Sequence, residues 1–200
     1  MASPSQPPAF PQRLARRTVY ESEWVTLYLD RVIFPDGRLI PEYHLVHTKH
    51  AVAALVENPA GELLFERTFR YATDRLEWEI PAGAIEAGED ILDTAQREVL
   101  EETGYDTTDH RLIYLYNPCN GNTNTRFHLV ACQVGVQVKG IDPGEIQSIR
   151  WMKRADIEEL IRQGELQDGF TLSAVLLWFW ILNQGMTLAE WRNSSYNPRV

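Results

Sequence analysis

The sequence predicts an α+β fold, a sandwich of strands and helices preceded by a small antiparallel β subdomain. Three observations lead there. Strand-like runs fill the chain from 16 to 80, one amphipathic helical stretch follows, and after more strand-like runs comes an apolar helical one. Strands flanking a single helix, then strands again and a C-terminal helix, bury their apolar faces together in layers. The 200 residues suit one domain of about 150 residues with terminal additions.

In chain order, residues 1–12 are rich in Pro and Ser, lack the apolar core of a signal peptide, and read as a flexible tail. Residues 13–48 read as the N-terminal β subdomain, with strands at 18–21, 25–33 and 40–47. Pro35-Asp36-Gly37-Arg38 makes the hairpin turn between the last two. Val25, Leu27 and Leu29 alternate with Thr26, Tyr28 and Asp30, the period of a half-buried strand. His44, His47 and His50 recur every three residues, which alternates faces on a strand and argues against a shared metal site.

The main domain is expected over 49–185. It opens with a strand at 51–56, a turn at Asn58-Pro59-Ala60-Gly61, a returning strand at 62–70 and a short one at 77–80. Further strands are expected at 111–116, 127–138 and 146–152, with helices at 154–162 and 171–182. Between the first two, 117–126 is polar, turn-rich and nearly uncharged, the composition of a binding loop. The last helix is apolar nearly all round, which places it deep in the core or at a subunit interface. Residues 186–200 form a C-terminal extension, in which Asn193-Ser194-Ser195 matches a glycosylation acceptor by chance.

Composition limits the function classes. A net charge of -9 argues against a nonspecific nucleic-acid coat or an anionic-membrane binder, and the apolar run at 174–182 is too short to span a bilayer. Cys119 and Cys132, the two cysteines, lack zinc-ligand spacing and read as free thiols of a reducing, cytoplasmic compartment.

Chemistry concentrates between Pro81 and Tyr105. Gly83 is expected to open a turn, the acidic loop around Gly88 suits a helix N-terminus, and a helix should run from 91 to 103 with Gly104 as its stop. Leu92, Ala95 and Val99 share its core stripe, with Glu98 and Glu102 one turn apart beside it and Glu101 near the same edge. Like charges so placed repel. Oxygen ligands would bind a hard divalent ion such as Mg²⁺, and the same residues also suit a solvated acidic face.

The spacing itself is informative. Gly83, five residues, Glu89, seven residues, Arg97-Glu98-Val99, one residue, Glu101-Glu102, one residue and Gly104 resembles the Nudix hydrolase signature at every fixed position. Tyr105 departs by standing where that family usually has an aliphatic residue. The resemblance implies a Nudix-type α/β/α sandwich and hydrolysis of a nucleoside diphosphate linked to another group, X. It also implies Mg²⁺ (or Mn²⁺) held by Glu98, Glu102, the Ala82 carbonyl and neighbouring Glu101. Arg97 would position the loop by pairing with Glu89, and Glu101 accompanies the catalytic set.

The stretch from Phe69 to Gly83 further resembles the segment preceding the signature in ADP-ribose pyrophosphatases and related nucleotide-sugar hydrolases. On that likeness Arg70 contacts a substrate phosphate, and Glu79 orients Arg70 or belongs to the substrate site; the two also suit a cross-strand ion pair. Asn117-Pro118 resembles that subfamily's Ser-Pro-Gly loop, with asparagine in place of serine and cysteine after Pro118. The segment around Asp142 and Glu145 resembles the acidic loop that supplies a catalytic carboxylate, so Glu145 is the candidate general base and Asp142 the second. Trp24, Tyr28 and Phe69 are candidates to stack the base. The same likeness implies a homodimer built with the N-terminal strands, and ADP-ribose as first substrate, cut to AMP and ribose 5-phosphate. A GDP-sugar, a dinucleoside polyphosphate, an oxidised nucleotide or a non-catalytic nucleotide sensor are the rivals.

Overall fold

The structure is a computed structural model that describes residues 9–192. Most of the expected tail and the Asn193 acceptor lie outside the described residues. The chain divides into two compact units, 1–49 with 119–125, and 50–118 with 126–200.

The smaller unit is an antiparallel sheet ordered β1 (Gln12–Glu21), β2 (Val25–Ile33), β3 (Leu39–Thr48). β1 begins at Gln12, well before position 18. Alternation did not reveal its start because all ten of its residues are exposed, so neither face carries an apolar stripe. Asp30 is buried and held by Arg16, whose Nε and Nη2 donate to its two oxygens at 2.7 and 2.8 Å. Residues 119–125, most of the 117–126 stretch whose composition suits a binding loop, run along β3. The Val46 N–H donates to the Asn122 carbonyl at 2.8 Å and the Tyr43 hydroxyl to the Gly121 carbonyl at 2.6 Å.

The larger unit is built on a seven-stranded mixed sheet. Its path runs β10 (Ile146–Met152), β5 (Leu63–Arg70), β4 (Ala51–Glu57), β9 (Phe127–Gln137), β8 (Tyr105–Tyr116). β6 (Arg75–Glu79) adds to β5, and β7 (Ala82–Ala84) to β4. β4 and β9 are parallel, while the other pairs are antiparallel. Side chains alternate across this sheet. Val52, Ala54, Val56 and Leu64 pack with Ala95 and Val99 of α1 (Ile91–Thr103). Ala53, Leu55, Leu63 and Phe65 pack on the opposite face with Ile157 of α2 (Arg154–Gln163) and Trp178 of α3 (Gly169–Asn183). Helices therefore cover both faces, the expected three-layer sandwich.

Two local expectations change, and two further elements gain detail. Gly83 lies within β7 rather than opening a turn, because Ala82, Gly83 and Ala84 pair with Ala53, Val52 and Ala51. β8 starts at Tyr105 rather than at 111; three register shifts and a positive φ of 55° at Asp109 interrupt its alternation. The C-terminal extension contains a short helix, α4 (Leu188–Arg192), which buries Leu188 in the α2 and α3 core. α3 is only half sunk: Ala174, Val175, Trp178 and Ile181 are buried while Leu176 and Trp180 are exposed. Among the described residues no helix is long and apolar enough to cross a membrane.

Candidate active site

The site is anchored by the two ends of α1. Asp90 caps its start, its Oδ1 accepting the Leu92 N–H at 2.8 Å, and Gly104 ends it with a left-handed φ of 75°. That glycine has a second reason: a Cβ there would strike the Lys139 carbonyl, and its own carbonyl accepts the Val138 N–H at 2.9 Å. The helix end is thereby tied to the tail of β9 and to the acidic loop that follows.

Arg97 organises the approach to the helix. Its Nε and Nη2 donate to the two oxygens of Glu89 at 2.8 and 3.1 Å, and Nη2 also reaches the Ala84 carbonyl at 3.3 Å. Nη1 contacts Glu98 at 2.9 Å and Glu101 at 3.0 Å. One guanidinium thus fastens the loop, β7 and the helix together. Arg97 holds Glu89 down to about 2, while its hydrogen bond to Glu89 raises the guanidinium's own pKa.

The expected ligand residues lie along one edge. Glu102 is 8% exposed and accepts the Ala82 N–H through Oε2 at 3.2 Å. The Glu98 carboxylate rests directly against Gly83, where any Cβ would overlap it. Glu101 is exposed at the rim. Burial raises the pKa of both Glu98 and Glu102, and in Glu102 the charges of Glu66 and Glu98 add to it.

Asp142 and Glu145 come to the same place from the loop before β10. The Asp142 N–H donates to the Glu102 carbonyl at 3.2 Å, and the Gly144 N–H to Asp142 Oδ1 at 2.7 Å. Thr68 on β5 donates its hydroxyl to the Glu145 carbonyl at 3.0 Å. Glu98, Glu101, Glu102, Asp142 and Glu145 consequently line one cleft of about 420 Å³. Oxygen donors of this kind suit a hard divalent cation.

A second cleft of about 410 Å³ shares Glu102 and Glu145 with the first and is lined also by Glu66, Thr68, Phe69 and Arg70. Here Arg70 donates through Nε and Nη2 to Glu79 at 2.8 and 2.6 Å, an ion pair between neighbouring strands. That pair engages two of the five donors of the guanidinium. Arg70 also borders an apolar hollow of about 380 Å³ that includes Phe127 and Phe170, stacked at 4.1 Å.

The aromatic candidates separate. Phe69 is exposed on the second cleft. Trp24 and Tyr28 belong to the smaller unit: the Lys49 ammonium lies 5.2 Å from the Trp24 ring, and Tyr28 sits between the Arg16 guanidinium at 4.2 Å and the His47 ring at 4.8 Å. Pro118 is exposed in the turn after β8 and lines none of these clefts.

Sequence reading missed Glu66, which is fully buried beside Glu102. Its signal was present. Leu64, Glu66 and Thr68 alternate on one face of β5, and Leu64 already packs toward α1.

Known proteins resemble this chain at each level. A family profile described as NUDIX domain matches residues 47–171, and one described as nucleoside diphosphate sugar hydrolase N-terminal domain matches 12–46. A CMP-5'-(N-acetyl-N-hydroxy-3-aminopropyl)phosphonate hydrolase of Streptomyces rubellomurinus is 31% identical, covering 74% of this chain and 72% of the relative. An ADP-ribose pyrophosphatase of Bacillus subtilis is 27% identical over 81% of this chain and 89% of its own. A crystal structure titled ADP compounds hydrolase shares the fold with a TM-score of 0.74 at 20% identity, covering 88% of this chain and 96% of the other.

Proposed function

The chain belongs to the NUDIX hydrolase family, and from that membership we propose that it cleaves the pyrophosphate bond of a nucleoside diphosphate linked to X, with ADP-ribose the first substrate. The observation that carries the reading is the convergence of α1 and the 142–145 loop: five carboxylates border one cleft, and Arg70 stands in the adjoining one. The products are a nucleoside monophosphate and phosphorylated X.

Hydrolases of this family generally use divalent metal ions. Mg²⁺ is the ion we propose, held by Glu98 and Glu102 with help from Glu101 and the Ala82 carbonyl. When bound, the cation neutralises diphosphate charge and lowers the pKa of a water. The chain's own groups do the rest. Arg70 offers its remaining donors to a phosphate, and Glu79 fixes its orientation. Arg97 holds Glu89, Glu98 and Glu101 in register. Glu145 takes the proton from the attacking water; Asp142 is the second choice because its Oδ1 is engaged by the Gly144 N–H in shaping the loop. Phe69, exposed at the cleft beside Arg70, is the foremost candidate to stack the base.

We include in the proposal a homodimer formed with the smaller unit and a cytoplasmic location. The identity shared with the CMP-linked phosphonate hydrolase favours a second reading, in which the nucleotide is CMP and X carries a phosphonate. A panel of ADP-ribose, a CMP-linked phosphonate, GDP-mannose and dNTPs with Mg²⁺ tests both. ADP-ribose yielding AMP and ribose 5-phosphate fastest supports the first reading, and preferential CMP release supports the second. No phosphate-bearing product from any diphosphate at saturating Mg²⁺ or Mn²⁺ would remove the enzymatic reading.

A further inference from the structure

The hydrolase reading leaves Glu66 without a task, yet of all residues near the site it is the hardest to explain as scaffold. Its relative exposure is 0%, and neither carboxylate oxygen has a hydrogen-bond partner of ordinary geometry among the described residues. Burying such a group is costly unless something compensates it. Its neighbours do not. The Glu102 carboxyl is close enough to interact with it directly, and Glu79 is its cross-strand partner. The nearby cation, Arg70, already donates two hydrogen bonds to Glu79. Three buried carboxylates therefore face one guanidinium, an excess of two negative charges when all are ionised.

A divalent cation matches that excess. We propose that Glu66 is a ligand, directly or through one water, of a divalent cation shared with Glu102 and approached from the sheet side of α1. The site belongs to the second cleft, where Glu66 and Glu102 stand with Arg70 and Glu145. Among the described residues no group of three acidic, histidine or cysteine side chains is already gathered for a metal ion. The ion accordingly completes its shell with water and substrate phosphate oxygens, the mixed shell that Mg²⁺ and Mn²⁺ accept. This inference rests on the hydrolase reading for the identity of the substrate oxygens, and on the structure alone for Glu66.

The test is direct Mn²⁺ binding to the full chain without substrate, followed by the paramagnetic resonance of free Mn²⁺, for wild type, Glu66→Gln, Glu66→Leu and Glu102→Gln. Glu66→Gln keeps shape and polarity, so it isolates the charge. We expect it to weaken one class of Mn²⁺ site by about 10-fold or more, Glu66→Leu to abolish that class, and Glu102→Gln to do the same. A Glu66→Gln isotherm superimposable on wild type, or a wild type that binds no Mn²⁺, overturns the inference. If Glu66→Gln does not fold, Glu66→Asp replaces it: weakened binding supports ligation, and unchanged binding opposes it. The two readings fail separately, since wild type that binds Mn²⁺ through Glu66 but hydrolyses no diphosphate loses only the enzymatic one.

Discussion

The carboxylate of Glu98 occupies the space that a side chain on Gly83 would need. The obstacle is the end of a flexible side chain rather than backbone, so Gly83→Ala displaces Glu98 more readily than it unfolds β7. We expect turnover to fall by about 100-fold or more with a loss of stability near 1 kcal/mol, the scale of ordinary substitutions. Steady-state rates beside thermal melts of the same samples check this. A stable variant of unchanged activity would show that Glu98 can be moved without consequence.

Glu102 separates catalysis from stability in the opposite sense. Burial and the charges of Glu66 and Glu98 disfavour its ionised form. Glu102→Gln removes that repulsion while retaining shape, so in EDTA the variant should melt at the same temperature as wild type or above it. Its turnover should fall by orders of magnitude, and added Mg²⁺ should raise its melting temperature less than that of wild type.

In the smaller unit, Asp30 depends on Arg16. Arg16→Ala leaves the buried Asp30 carboxylate without its partly exposed partner and should cost about 1–2 kcal/mol, the range for one buried acceptor left unsatisfied. Adding Asp30→Asn should recover part of the loss, which a double-mutant cycle in urea would measure.

Glu89 gives a pH dependence. Its carboxyl ordinarily titrates at 4.5 and Arg97 draws it down to about 2 in the folded protein. The folded value lies below the unfolded one, so the pair's contribution is complete above about 4.5 and is lost as pH falls toward 2. A carboxyl ¹³C titration should place the Glu89 midpoint near 2, and Arg97→Lys, which loses the two-pronged contact, should move it back toward the ordinary value.

Legibility in the sequence followed the range of the interaction responsible. The start of α1 at Asp90 and its stop at Gly104 are local chemistry, a side-chain cap and a left-handed glycine, and both were readable. So were Arg97 with Glu89 and the approach of Asp142 and Glu145, once spacing suggested the family. β7 was not, because three residues become a strand only by pairing with β4 some thirty positions earlier. β1 and β8 were foreshortened for different reasons, one lacking a buried face and the other broken by bulges. Glu66 escaped notice because a lone carboxylate in a strand looks like a solvent-facing residue until the face opposite it is known.

The parallel pairing of β4 with β9 decides when the protein can acquire its function during synthesis. Ala51 pairs with Phe127 and Glu57 with Gln133, so the middle of the sheet beneath α1 forms only after the chain has grown past Gln133. The loop that brings Glu145 follows still later. α1 leaves the ribosome with its carboxylates before the middle of the sheet beneath it exists, and closing so long a connection is slow compared with forming the helix. Nascent chains halted before Phe127 should resist neither protease nor chelator, whereas those released beyond Met152 should carry every strand of the sheet.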